Sequence, residues 1–583
     1  MITKWSVSNF KSIRNETELN FAPLTVFAGP NSSGKSSFIQ TILLVAQTLT
    51  NKVESRSIVL NGSLASLGQF NDIKSNGSKL DQIDIKFSSN ISEYSDYYNY
   101  FKKMKEDKTY SYNGLKEISC EISFGLDTSS SNPEFFQIQP KLFNTRLSCV
   151  TTNRNNEEEI SYISARPSTD TIENISKTYN ISILNENIRQ FLSYSVELDQ
   201  ISKAQIAYSP FLSSVIGCKF EHFLPSSLVY VVKQIDDKTE DLVYFFYREL
   251  HNVCAKFIGY RQFEKLPYYI LNTKILCFDD FIHNFLKIDN IYLKNTNSFT
   301  HVPSEHSLSV NLPSSQTVYE WLKNLYELSE EDRSKLRRGL WNISGPHWRY
   351  YSKKNIILRN YFYYALVSQE PLFNKYCIKK CSLSLNLGES QFYIKNFISN
   401  VSYLGPVRVA PKSLYPLTPS VDLYDLGTQG ENSAFIFDIH KKDTIKYIPS
   451  NHFKDQIDVR LVQCTLEEAV IDWLQYMGIA DTVNTIDKGN WGHELKVRIP
   501  HSADQHGLNH VGVGVSQVLP ILLMGLLANQ NSILVIEQPE LHLHPKVQSL
   551  LGDFFLSMAL SDKQCIVETH SEALIDRLRY RIA

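Results

Sequence analysis

Gly29-Pro30-Asn31-Ser32-Ser33-Gly34-Lys35-Ser36 reads G-x-x-x-x-G-K-S. The run before it, Leu24-Thr25-Val26-Phe27-Ala28, is apolar and β-branched and predicts a buried strand. The run after it, Ser37 to Ala46, has helical spacing. Strand, glycine loop and helix in that order are the setting of a phosphate-binding loop, and they argue against a chance Gly/Ser-rich turn. The glycines let backbone N–H groups turn inward around phosphate oxygens, and the helix N-terminus adds a favourable dipole. Lys35 can reach β- and γ-phosphates, and Ser36 can offer its hydroxyl to Mg²⁺. Gly29 to Ser36, with Ser37 beside them, are the candidate nucleotide contacts.

The last part of the chain holds the counterparts. Ile533-Leu534-Val535-Ile536-Glu537 is four apolar residues ending in an acid, the form of a strand that carries a carboxylate to the phosphate loop. There it can hold Mg²⁺ directly or through water. Thr569-His570-Ser571 follows another apolar run and puts polar groups at its tip. Gly512-Val513-Gly514-Val515-Ser516-Gln517 is a second glycine loop at the start of a helix, again suited to an anion.

In order and spacing these segments resemble an ABC-type ATPase head of the SMC, RecF and OLD group. The resemblance is narrower to bacterial AAA-family ATPases marked by VGVGVSQVLP (Val511–Pro520), IEQPELHLHP (Ile536–Pro545) and VETHSEAL (Val567–Leu574). Asn9-Phe10-Lys11-Ser12-Ile13 and Tyr403-Leu404-Gly405-Pro406-Val407-Arg408 fit it too, so it covers roughly 1–75 and 400–583. It implies that Gly29–Ser36 is the Walker A loop, Gly512, Gly514, Ser516 and Gln517 belong to the signature loop, Glu537 is the Walker B acid and His570 the switch histidine. It also implies two heads that close head-to-tail on ATP and Mg²⁺. The signature loop of one then faces the Walker A loop of the other, and hydrolysis reopens the homodimer. Relatives usually continue past Arg577–Arg581, so either such a tail is absent here or the sequence is shortened.

The departures from the pattern fall at the water-activating position. Such heads end Walker B with Asp-Glu, and here the pair is Glu537-Gln538. An amide cannot accept a proton as a general base, although it can orient a water. The expectation is slow hydrolysis and a long-lived ATP-bound dimer, or a base supplied by Glu540 or by the partner head. Gln69 reads either as a Mg²⁺-sensing glutamine or as a plain loop residue, and Arg408 as a phosphate sensor or a surface salt bridge. His542 and His544 form an H-x-H that lacks the further ligands of a metal site, at the place where such heads cross their dimer interface.

The expected architecture is α/β: an ABC-type P-loop head with an N-terminal antiparallel lobe, split by a large, mainly helical insertion. The boundaries read as 1–160, 161–380 and 381–583. Trp5–Ile13 and Glu18–Phe27 read as paired strands, Glu117–Phe124 as a strand, and Cys381–Phe397 as a return to strand. Glu240–Ile258 and Thr317–Leu340 read as amphipathic helices. No heptad run supports a long coiled coil.

The 583 residues carry a formal net charge of −2, so no global positive field favours nucleic acid. A local patch runs from Arg333, Lys335, Arg337 and Arg338 through Trp348-Arg349-Tyr350 to Arg359. It suits single-stranded nucleic acid, a protein interface or a solvated helix face. Nine scattered cysteines, no apolar stretch of membrane length and no secretory start lead to an expected cytoplasmic location with no membrane partner. With neither an H-N-H pattern nor a D-x-D cluster in clear context, the chain is expected not to be a nuclease itself. By analogy with the ATPases of anti-phage systems such as Septu, PARIS and some retrons, the PtuA-like kind among them, a separate effector nuclease is the expected partner. The alternative is a RecF- or SMC-like DNA-maintenance ATPase that binds DNA directly. A transporter motor ranks last.

Overall fold

The computed structural model describes residues 1–91, 114–127, 133–152, 157–168, 172–179, 190–206, 214–233, 376–415, 423–454 and 460–583, with a few isolated positions between 239 and 329. A four-stranded parallel sheet runs in the order Val401–Leu404, Ile533–Glu537, Gln564–Thr569, Leu24–Ala28. The strand that feeds the phosphate loop therefore lies beside one from more than 500 residues later. Its register pairs Phe27 with Glu568 and Ala28 with Thr569, while Glu568 in turn pairs with Glu537.

This sheet separates two apolar cores. Ile533, Val535 and Ile566 pack with the helix Lys35–Thr50 and the N-terminal lobe. Leu534, Ile536, Cys565 and Val567 pack with the helices Gly514–Leu527 and Pro545–Ala559. Burial on both faces explains why these strands are unbroken apolar runs rather than alternating ones.

The N-terminal lobe is a seven-stranded antiparallel sheet, ordered Thr17–Asn20, Ile2–Ser8, Gln82–Asn90, Gly114–Gly125, Lys141–Thr152, Glu158–Pro167, Tyr194–Leu198. It crosses residue 160 and runs on to Leu198, beyond the expected boundary. The described part of the expected helical insertion is itself rich in strand: Leu224–Lys233 pairs with Ser214–Glu221 on one side and with Tyr376–Ser382 on the other. Glu240–Ile258 and nearly all of Thr317–Leu340 lie outside the described residues, as does the basic patch from Arg333 to Arg359.

Three strand readings change. Glu18–Phe27 is not one strand: the turn at Phe21-Ala22-Pro23 divides it, and its halves join different sheets. In Trp5–Ile13 the strand ends at Ser8, because Asn9 and Lys11 take positive φ. Cys381–Phe397 is a strand only to Ser382, followed by the helix Leu385–Ser399. Alternating Cys381, Leu383, Leu385 and Leu387 mimic a strand, but the buried positions Leu387, Ser390, Ile394 and Ile398 have helical spacing. Among the described residues no helix is long and apolar enough to cross a membrane.

Candidate nucleotide-binding site

The strand Leu24–Ala28 delivers the chain into a loop with φ of 147° at Gly29, 62° at Ser32 and 95° at Gly34, and the helix starts at Lys35. A side chain at Gly34 would be strained by that φ and would meet Ser12 Oγ at 3.1 Å. Asn31 to Ser37 line a cleft of about 930 Å³. Lys11, Arg14 and Lys74 line it from the N-terminal lobe, and Gln538, Glu568 and His570 from the other end of the sequence. Four cations including Lys35 thus surround a loop built to receive an anion.

Lys35 Nζ donates to the carbonyls of Gly29 (3.0 Å) and Pro30 (2.8 Å), which holds the ammonium against the loop. Ser36 Oγ lies 2.9 Å from both carboxylate oxygens of Glu568. Lys11 Nζ donates to Gln40 Oε1 at 2.6 Å, and burial lowers its pKa against the opposing pull of Asp72.

Glu537 ends a fully buried strand. Burial pushes its carboxyl up to about 7, with the charge of Glu568 adding. Tyr403 donates its hydroxyl to Glu537 Oε1 at 3.2 Å. Arg408 Nη2 donates to the Glu537 carbonyl at 3.4 Å. Arg408 is 6% exposed, so the surface salt-bridge reading is overturned; burial lowers its pKa to about 10. Its Nε and Nη1 have no hydrogen-bond partner among the described residues.

Gln538 is half-buried at φ 44°, its N–H donating to the Glu568 carbonyl at 2.7 Å. Glu540 is buried and lies outside the cleft lining. It accepts from Thr569 Oγ1 at 2.8 Å and from the His570 N–H at 2.6 Å, so both oxygens fasten the loop that carries the exposed His570. Gln69 precedes the short helix Phe70–Ile73 and gives its N–H to Asp72 Oδ2 at 2.7 Å; Asp72 lines the cleft and Gln69 does not.

None of Gly512, Gly514, Ser516 and Gln517 lines this cleft. They sit at the start of the helix Gly514–Leu527, on the far side of the parallel sheet from the phosphate-loop helix, with Ser516 Oγ donating to the Val513 carbonyl at 2.7 Å. His544 caps the helix Pro545–Ala559, accepting from the Lys546 N–H at 3.2 Å, and His542 is exposed at φ 61°.

Sequence reasoning gave no role to Glu568. Its signal was a lone acid inside Gln564-Cys565-Ile566-Val567-Glu568-Thr569, a run that the structure buries throughout. A charge in a buried strand needs a reason.

Residues 4–245 match the model of an AAA domain, and residues 422–575 match that of an AAA ATPase domain. No curated protein sequence matches the chain. Solved structures that match include three SMC head domains. One, from Pyrococcus furiosus, carries an extended coiled coil and is bound to the C-terminal domain of ScpA (10% identity, 99% of this chain and 91% of that one, TM-score 0.25). The others are from Thermotoga maritima (8%, 99% and 91%, 0.28) and from Pyrococcus yayanosii, with a coiled coil and joint (12%, 99% and 93%, 0.30). At these TM-scores the overlap adds no weight to the topology above. The two AAA matches each carry one half of the cleft. The fold is a P-loop ATPase fold, mixed α/β with an antiparallel N-terminal sheet, and the chain is an ATP-binding ATPase.

Proposed function

We propose that this ATPase works as a slow, ATP-closed switch. Two heads close head-to-tail, each cleft binding one Mg·ATP, and Gly512, Gly514, Ser516 and Gln517 of one head cover the γ-phosphate held by the other. The observation that carries the reading is the separation of the two glycine loops. The cleft gathers Lys35, Ser36, Gln538, Glu568 and His570, while the second helix N-terminus suited to phosphate lies elsewhere on the same chain.

The donors fit Mg·ATP. The backbone N–H groups of Gly29 to Ser37 and the Lys35 ammonium suit the phosphates, and the Ser36 hydroxyl beside a carboxylate suits the metal. Bound Mg²⁺ would neutralise charge on the β- and γ-oxygens. Gln538 orients the water without taking its proton, and Glu540 is already engaged, so turnover is slow and the closed state persists. Closure and opening control a partner effector, a nuclease of bacterial anti-phage defence, in the cytoplasm.

Gln538→Glu tests the switch. In a single-turnover assay the variant is expected to hydrolyse ATP at least about a hundred-fold faster, the lower end of the range for a general base. An unchanged rate would sink the slow-switch reading. DNA-stimulated turnover by the isolated chain would favour the DNA-maintenance alternative instead.

A further inference from the structure

Resting on the nucleotide site just proposed, we infer that Glu568, rather than Glu537, is the carboxylate that holds the metal with Ser36. Mg²⁺ takes oxygens at about 2.0–2.1 Å in an octahedron, so two neighbouring ligands stand about 2.9 Å apart. Ser36 Oγ lies 2.9 Å from each oxygen of Glu568. The pair already has the edge length of that octahedron, and a metal entering the cleft would take a lone pair from each oxygen while the Ser36 hydroxyl keeps its proton and turns it away from Glu568.

Position supports this assignment. Glu568 lies on the strand next to the phosphate-loop strand, directly paired with Phe27. Glu537 lies one strand further out, roughly 5 Å more distant in the pairing direction. Glu568 lines the cleft and Glu537 does not. Among the described residues the Glu568 carboxylate has Ser36 as its recorded side-chain partner, whereas that of Glu537 is turned to the Tyr403 hydroxyl and its carbonyl to Arg408. Asp72, the other acid of the cleft, is engaged by the Gln69 N–H. Glu537 thus serves as a buried support for the strand tip, and the metal-holding acid stands one strand closer to the phosphate loop than the motif implied.

The test measures binding of a fluorescent ATP analogue to the full chain, with Mn²⁺ and with EDTA. A wild-type chain that binds the analogue in neither condition removes the ATP-site reading itself. With binding in place, Glu568→Gln is expected to keep the EDTA affinity and to lose at least about ten-fold of the Mn²⁺-dependent gain, a loss that a residue behind the ligands can also reach, so the contrast with Glu537→Gln decides. Glu537→Gln is expected to keep most of that gain. A Glu568→Gln chain with the full gain overturns the assignment, and so does a Glu537→Gln chain that loses as much of it as Glu568→Gln. Should Glu568→Gln also lose metal-free binding, Glu568→Asp decides. Metal-free binding intact with a Mn²⁺ gain cut several-fold supports the assignment; an unchanged gain, or loss of metal-free binding here too, overturns it.

Discussion

Glu540 shows how a candidate catalytic residue is reassigned by its neighbours. Its two oxygens receive the Thr569 hydroxyl and the His570 amide, which leaves neither facing a nucleotide in the cleft. Glu540→Gln keeps the shape but offers one acceptor oxygen and an NH₂ that repels the other donor. The chain is expected to lose about 1–3 kcal/mol of stability in denaturant titration. Single-turnover hydrolysis should slow as His570 drifts, while metal-free ATP affinity holds.

Lys563 is a second residue-scale case. It is 4% exposed, its ammonium donates to the Gly525 carbonyl at 2.7 Å, and burial lowers its pKa from 10.5 to about 8. Between those values the unfolded chain holds more protons than the folded one, so stability rises with pH across that window, and the cost of the buried charge is fully present below it. From pH 8 to 10.5 the wild type should gain up to about 3 kcal/mol relative to Lys563→Met, read from paired denaturation midpoints. A constant difference would contradict the shift.

At the scale of elements, a buried amide helps to join the two large sheets. Gln564 is fully buried at the start of its strand. Its Oε1 accepts from the Ile2 N–H at 2.8 Å, and its Nε2 donates to the Ile2 carbonyl at 2.7 Å and the Ala22 carbonyl at 3.2 Å. Gln564→Leu would take this partner from the buried Ile2 N–H and carbonyl, at about 1–3 kcal/mol each. A loss of about 3 kcal/mol or more is expected by thermal or chemical denaturation; a near-neutral effect would mean that water reaches the junction. The helix Leu466–Met477, by contrast, was legible locally. Thr465 and Glu468 form a reciprocal cap at its start, and Gly478 ends it at φ 68°. The misread helix Leu385–Ser399 lacked such marks, and the apolar face that decides it is defined by the lobe it packs on.

For the whole molecule, the parallel sheet places the two glycine loops on helices that cover opposite faces. In the proposed switch the glycine loop at Gly512 of one chain therefore closes the cleft of another. Lys35→Ala should lose ATP binding. Ser516→Arg should bind ATP but fail to dimerise with it in light scattering. Mixing the two should restore ATP-dependent dimers with one competent site. Failure of the mixture to dimerise, with Ser516→Arg dimerising alone, would rule out the head-to-tail arrangement.

By itself the sequence determined the phosphate loop and the buried strands Ile533–Glu537 and Gln564–Thr569. Each of these is written in short-range terms: a glycine at a positive φ, an apolar run, a helix start. Only the tertiary structure decided which carboxylate meets Ser36, what engages Glu540, and that Arg408 is buried. Those depend on strand order, which sets an acid from residue 568 against a hydroxyl from residue 36. Strand order is fixed by packing between distant segments, and no local pattern encodes it.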